Sequence, residues 1–452
     1  MTEYQRFEAC LEGYAAHPAI FWRGREVTYR GLLDQSRAWD TALDRRGIGA
    51  GSVCAYLGDY WPEVMAFTLA LMRRRAIGVP FSLGALPELR KLAAIACAES
   101  LWTFDPSGDW RVEALTASSV NPVLEAFKAT GHPGCVVFSS GSTGQPKGIL
   151  HDFEKLLTKF TVKRTPYRTL LFLLIDHLGG INTLLSVLSQ GGVGVVAENR
   201  TVDKVGRVVE DGRVELLPVT PAFLTLLVTS GTLRGYDFSS VKLVTYGTDT
   251  MHEQTLHAAV AALPRAKFQQ TYGLSEVGVL RSKSKGSSSL MVRVGGAGFE
   301  TRIVDGILHV RSESSMVGYL NAPSPFDADG WLNTGDAVEI DGEYLRILGR
   351  ESDLINVGGQ KVFPAEVENV ILQADNVADV TVFADRHPLM GAVVCARVSL
   401  REPEAPAELR RRLRQFCLER LAPFKVPVRF DTSADQHSHR FKKMRQSKPA
   451  TE

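Results

Sequence analysis

The chain has 452 residues, 44% of them hydrophobic and 23% charged, with a formal net charge of +2. At ~100–200 residues per domain this is too long for a single core. The near-neutral balance gives no electrostatic case for nucleic acid or an anionic membrane as a partner. No apolar run reaches the ~18 residues that a membrane span requires. The opening MTEYQRFEACLEGY has neither the basic nor the apolar region of a secretory signal. Cys10, Cys54, Cys97, Cys135, Cys395 and Cys417 are scattered, with no CxxC pair. Reduced thiols in a cytoplasmic protein of enzyme size are the expectation.

In chain order, GLLDQSRAWDTALDRRG has helical apolar spacing, CAYLG reads as a buried strand, PEVMAFTLALMRR as a helix opening on Pro62, and AIGVPFS as a strand. The rhythm returns at CVVFSS and HDFEKLLTKF, then at LLFLLI, GGINTLLSVLSQGG and VGVVA. It returns once more at VELLPV, PAFLTLLVTSG and VKLVTYG. Such alternation predicts an α/β fold with parallel sheet covered on both faces. From about residue 290, TRIVDGILHVRSES and VEIDGEYLRILGR predict hairpins at Asp-Gly turns. Beyond Arg350 a smaller α+β pattern begins: INVGGQKVF as a strand pair, PAEVENVILQ as a helix, VADVTVFA and GAVVCARVSL as strands, and PAELRRRLRQFCLERL as a basic helix. Two domains are expected, 1–350 and 351–452, ending in a polar, basic tail.

One stretch interrupts the rhythm with chemistry. VVFSSGSTGQPKGI, Val136 to Ile149, breaks an apolar run into Ser139, Ser140, Gly141, Ser142, Thr143 and Gly144 before Lys147. Such a loop exposes backbone N–H groups, hydroxyls and one mobile ammonium, a constellation that holds phosphate. An ordinary Gly/Ser surface loop has the same composition. The Walker spacing fails, because Gly141 plus five is Pro146 and Lys147 precedes Gly148. The three-glycine dinucleotide pattern fails as well.

SSGSTGQPKG resembles the signature loop of the adenylate-forming superfamily, which includes acyl- and aryl-CoA synthetases. QTYGLSEVG (270–278), GYLN ahead of DGWLNTGD, NTGD itself (333–336) and LGRESDLINVGGQKVFPAEVE (348–368) resemble its other motifs in the same order. The resemblance implies a large N-terminal domain of layered α/β sheets with a small mobile α+β lid. It also implies activation of a carboxylic acid by ATP to acyl-AMP with release of pyrophosphate, and then transfer to the thiol of CoA or of a carrier protein's phosphopantetheine. It puts Lys147 and Ser139–Thr143 on the outer phosphates, Ser275 on the α-phosphate, Glu276 on Mg²⁺, and Tyr272 with Gly273 against adenine. Tyr246, Gly247 and Thr248 would line the adenine pocket, with Asp336 on the ribose hydroxyls and Arg350 on ribose or phosphate. The catalytic lysine would be Lys442, with Lys443 its rival. This chain departs from the pattern at Ser275 (for threonine), at Phe441 (for glycine) and at Ser352 in the hinge.

For the acid, His177 in LLIDHLGGINTLL stands where CoA synthetases carry a pocket histidine. Asp176 keeps open an amino-acid reading. Ile181, Phe223, Leu224, Val277 and Val279 are candidates for an apolar wall suited to an aromatic or medium acyl acid. Gly358, Gly359 and Lys361 resemble the loop lining the pantetheine tunnel. A stand-alone enzyme loading an aryl or amino acid onto an acyl or peptidyl carrier protein, and a non-catalytic relative, remain as alternatives.

Overall fold

The computed structural model describes residues 1–116, 120–140, 145–387 and 391–433. The apolar runs build two seven-stranded sheets. The first runs, edge to edge, Lys267–Gln270, Leu243–Tyr246, Leu216–Val219, Arg168–Leu171, Val193–Val196, Pro18–Trp22 and Arg25–Thr28. All its pairings are parallel except that of Arg25–Thr28. The second runs Gly318–Tyr319, Pro146–Asp152, Gly134–Ser140, Ile77–Phe81, Val53–Leu57, Ser100–Phe104 and Trp110–Ala114.

Period-two alternation explains the layering. In Val53–Leu57, Cys54 and Tyr56 face one core, while Val53, Ala55 and Leu57 face another. Leu171 and Leu170 divide in the same way on the first sheet. The core shared by both sheets takes Trp39, Phe67, Leu184 and Leu185 from helices Tyr29–Asp44, Pro62–Arg73 and Leu178–Gln190. These helices therefore lie between the sheets. Pro62–Arg73 is apolar nearly all round, as such a position demands. Further helices cover the two outer faces. The α/β fold expected from the alternating pattern is the one found.

Beyond these layers lies a six-stranded antiparallel sheet ordered Ser282–Ser284, Val292–Val294, Tyr344–Arg350, Leu332–Asp341, Ile307–Ser312 and Phe299–Val304. Its Asp305–Gly306 turn has φ +51° and +78°, the left-handed pair that a two-residue hairpin needs. From Ile355 onward the strands form a separate five-stranded sheet with its own core, from Ile355 to Phe430. In helix Pro406–Leu418, Leu409, Leu413 and Cys417 face that core, while Arg410, Arg411 and Arg414 face solvent.

The α/β rhythm misreads one place. CVVFSS is not followed by a helix: Gly134–Ser140 turns back antiparallel onto Pro146–Asp152, with Ser139 opposite Lys147. His151 and Asp152 end that strand, and only Phe153–Leu157 is α-helical before a single 3₁₀ turn, Thr158–Phe160. The phosphate-type loop thus joins two strands of a hairpin.

Candidate active site

The three large sheets converge on a cavity of about 980 Å³. The first sheet presents the C-terminal ends of its parallel strands, where open α/β sheets take their ligands. Val219, Gly247, Thr248, Thr271 and Tyr272 line the cavity from those ends. The hairpin of the second sheet adds Ser139 and Lys147, and the antiparallel sheet adds Arg350.

Backbone crowding decides the residue type at two of these strand ends. The Thr271 N–H donates to the Tyr246 carbonyl at 2.7 Å. A β-carbon on Gly247 would come within 2.5 Å of both Thr271 oxygens, so this position accepts glycine alone. Thr248 follows at φ +73°, a strained conformation for a β-branched residue. The Tyr246 side chain is buried in the outer core and does not line the cavity, which corrects its assignment to the adenine wall.

Tyr272, Asp336 and Arg350 form a cluster. The Tyr272 hydroxyl donates to Asp336 Oδ2 at 2.5 Å, and Arg350 Nε lies 3.3 Å from Asp336 Oδ1. Thr334 Oγ1 accepts from the Asp336 N–H at 3.0 Å. Burial pushes the Asp336 carboxyl up, against the downward pull of Arg350 and the Tyr272 hydrogen bond. Tyr272 and Arg350 line the cavity, and Asp336 stands behind them. The Tyr272 ring is thus tethered by its hydroxyl to the carboxylate.

A second cluster joins Glu276 to Lys147 through Tyr319, a residue for which the motif reading assigned no role. The Tyr319 hydroxyl donates to Glu276 Oε1 at 2.6 Å, and the Lys147 ammonium sits 4.9 Å from the Tyr319 ring centroid. The signal was present, because Tyr319 is the aromatic of GYLN. Gly273 and Ser275 line the same wall. Among the described residues no group of three or more His, Cys, Asp or Glu is arranged to hold a metal ion. Gly141, Ser142, Thr143 and Gly144 lie outside the described residues, as does Lys442 with its neighbours Phe441 and Lys443. Ser140 is the last residue of its strand.

His177, which also lines the cavity, caps helix Leu178–Gln190. Its Nδ1 accepts the Gly179 N–H at 3.1 Å, which leaves any ring proton on Nε2. Asp176 is committed elsewhere: its Oδ2 accepts from the Ser82 hydroxyl at 2.7 Å and from the Ser82 N–H, and it does not line the cavity. The amino-acid reading that rested on Asp176 loses its support.

The expected apolar wall also needs correction. Phe223 packs on Phe172 with ring centroids 4.3 Å apart, Ile181 points into the inter-sheet core, and Val277 is fully buried under the antiparallel sheet. Leu224 is also core, and of the five only Val279 lines the cavity. Leu173, Val187, Leu216, Leu243 and Leu280 supply apolar lining in their place, and Asn182, Thr183, Ser186 and Gln190 add polar lining. Asn182, Ser186 and Gln190 recur every four residues along that helix, a polar stripe that the sequence carried. Gly358 and Gly359 form an exposed two-residue turn at φ +57° and +90°, with Lys361 exposed on the returning strand; none of the three lines the cavity.

Comparison with known proteins adds independent findings. Residues 87–320 match the family model for the AMP-binding enzyme, and residues 366–439 match that for the AMP-binding enzyme C-terminal domain. The chain is 26% identical to 4-coumarate–CoA ligase 4 of Arabidopsis thaliana, over 88% of this chain and 82% of that protein. It is also 26% identical to the fatty acid–[acyl-carrier-protein] ligase ScoC of Streptomyces coeruleorubidus, over 92% and 89% of the two chains. The crystal structure of the anthranilate CoA ligase AuaEII in complex with anthranoyl-AMP superimposes with a TM-score of 0.83 at 19% identity, covering 98% of this chain and 96% of that one. That likeness shows a shared fold. With a family model spanning more than half its length, and the matching C-terminal domain in place, the chain belongs to the AMP-binding enzyme family, the adenylate-forming ligases.

Proposed function

We propose that the chain activates a carboxylic acid with ATP and passes the acyl group to a thiol, that of CoA in the first instance. The observation that carries this reading is the convergence of Lys147, Glu276, Tyr272, Arg350 and His177 on one cavity from three separate sheets and a connecting helix. In the first step a carboxylate oxygen attacks the α-phosphorus and the bond to the β-phosphate breaks, releasing pyrophosphate. In the second the thiol sulfur attacks the acyl carbon and AMP leaves.

Lys147, with Ser139 beside it, grips the outer phosphates, where its charge stabilises the leaving pyrophosphate. Asp336 offers two acceptor oxygens to the ribose hydroxyls, in exchange for the partners it now holds in Tyr272 and Arg350. Its burial makes that exchange consequential, because an unpartnered carboxylate there is costly. Glu276 is a single hard oxygen donor beside the phosphate-binding lysine, which fits Mg²⁺ held mainly by phosphate oxygens. The ion would supply charge neutralisation. His177, oriented by the Gly179 N–H, presents Nε2 at the acid end.

The chain divides at 350/351 in this reading, and the small unit acts as a lid that brings Lys442 to the reacting carboxylate and α-phosphate. The exposed Gly358–Gly359 turn and Lys361 are available there to a pantetheine arm. The likeness to ScoC keeps a carrier protein as the alternative bearer of that thiol.

Pyrophosphate–ATP exchange over a panel of acids tests the first step, and product assay with CoA against a phosphopantetheinylated carrier protein separates the acceptors. Acid-dependent exchange is expected; its absence for every acid would overturn the reading.

A further inference from the structure

The cavity carries charge that the adenylation chemistry above does not use. Five cationic side chains line the cavity: Lys147, Lys159, Arg164, Arg281 and Arg350. The carboxylates among its lining are Glu276, already bonded to Tyr319, and the exposed Glu88 at the rim. Lys147 and Arg350 belong to the nucleotide end. Lys159, Arg164 and Arg281 have no assigned task.

Lys159 and Arg281 are partly buried, whereas Arg164 is exposed. The Lys159 ammonium donates to the Val279 carbonyl at 3.3 Å, tying the Thr158–Phe160 turn to the strand that precedes Arg281. Arg281 Nε is buried with no hydrogen-bond partner among the described residues. Neither arginine, nor Lys159, makes an ion pair among the described residues, whereas Arg73, Arg168, Arg200 and Arg412 each do. Gln190, itself 7% exposed, fixes the connecting loop. Its amide nitrogen donates to the Phe160 and Val162 carbonyls, and its oxygen accepts the Arg164 N–H at 2.7 Å. Burial and mutual repulsion pull Lys159 down to about 7 and lower Arg164. Like charges gathered in a partly desolvated wall without an anion are costly, and an anionic ligand removes that cost.

We propose that Lys159, Arg164 and Arg281 form a second anion subsite, so that the acid activated here carries a second anionic group, as a dicarboxylic acid does. The reacting carboxylate then lies toward His177, while the second anion is held by the three cations through charge-assisted hydrogen bonds. This deepens the function proposed above and rests on it.

The experiment compares acids matched in length and shape: adipate against hexanoate, and isophthalate against 3-methylbenzoate, in pyrophosphate exchange. The diacid of at least one pair is expected to exceed its monoacid by about 100-fold or more in kcat/KM, because a site built for a polar group discriminates strongly against its loss. Arg164→Gln and Arg281→Gln should each erase most of that preference, with KM for ATP unchanged and the monoacid rate unchanged or raised. Exchange with monoacids but not with diacids, or a preference that survives both substitutions, would overturn the subsite and leave the ligase reading intact. Variants that keep acid selectivity but raise KM for CoA would reassign the cluster to the CoA phosphates and equally overturn it. No exchange with any acid would overturn both.

Discussion

At the scale of single residues, the proposed function asks a buried charge to exchange the partners it now holds. Asp336 now accepts from Tyr272 and faces Arg350. Asp336→Asn keeps the shape and removes the charge, and should cost about 2 kcal/mol of nucleotide binding, the worth of a charge-assisted bond. The readout is a rise of about 30-fold in KM for ATP, with the far-ultraviolet circular dichroism unchanged. Lys159 gives a pH signature. The charged and titratable groups acting on it are Arg164, Arg281 and His151, and the neighbouring helix Leu178–Gln190 contributes none. Held near 7 in the free protein, it loses its proton as pH rises through that value. If it receives a second carboxylate, kcat/KM for a diacid should fall above pH 7, while that for a monoacid should not fall there, since this ratio reports the free enzyme.

At the scale of elements, strand ends and turns carried their functional glycines openly, whereas helix and wall orientation did not show in the sequence. Gly247 and Gly273 sit in short motifs whose spacing is set by local backbone geometry, so they could be placed from the chain alone. Gly247→Ala pushes a β-carbon against the Thr271 carbonyl. It should destabilise the protein by about 1–3 kcal/mol, read as a lower urea midpoint with an unchanged m-value. The acid wall was legible only in part. Phe223 and Val277 are apolar residues beside motifs, and hydrophobicity cannot say which face of an element turns to a core and which to a cavity. Lys159 and Arg164 lie more than a hundred residues from Arg281, and the hydrogen bond from Lys159 to the Val279 carbonyl joins the two segments. The helix opening at Pro364 shows the same limit. Its Glu368 and Asn369 meet the large unit at His252, with Glu368 Oε2 3.3 Å from His252 Nε2 and both side chains buried. No motif marked that contact. His252→Ala should loosen the small unit, and faster proteolytic cutting within residues 350–354 would report it.

At the scale of the whole molecule, the layered α/β core followed from alternation and helix-length apolar runs, while the hairpin beneath the phosphate-type loop did not. A strand that turns back and a strand that feeds a helix begin alike. Inside that hairpin His151 is fully buried, and burial drops its pKa to about 4 from an ordinary 6.5. Below pH 6.5 the unfolded chain takes up a proton that the folded chain refuses. Stability present above pH 6.5 is therefore lost progressively down to pH 4, by up to about 3 kcal/mol. Urea titrations of the parent and of His151→Gln should diverge in slope over that window, with the variant the flatter.

The central claim is that one cavity holds ATP and an acid end to end. A crystal structure of the protein with adipate and a non-hydrolysable ATP analogue tests it most directly. The account predicts adenine beside Gly247 and Thr248, ribose hydroxyls on Asp336, the outer phosphates on Lys147, one carboxylate toward His177 and the other between Arg164 and Arg281. Nucleotide density outside this cavity, or an Asp336 still bonded only to Tyr272 and Arg350 with nucleotide bound, would contradict it.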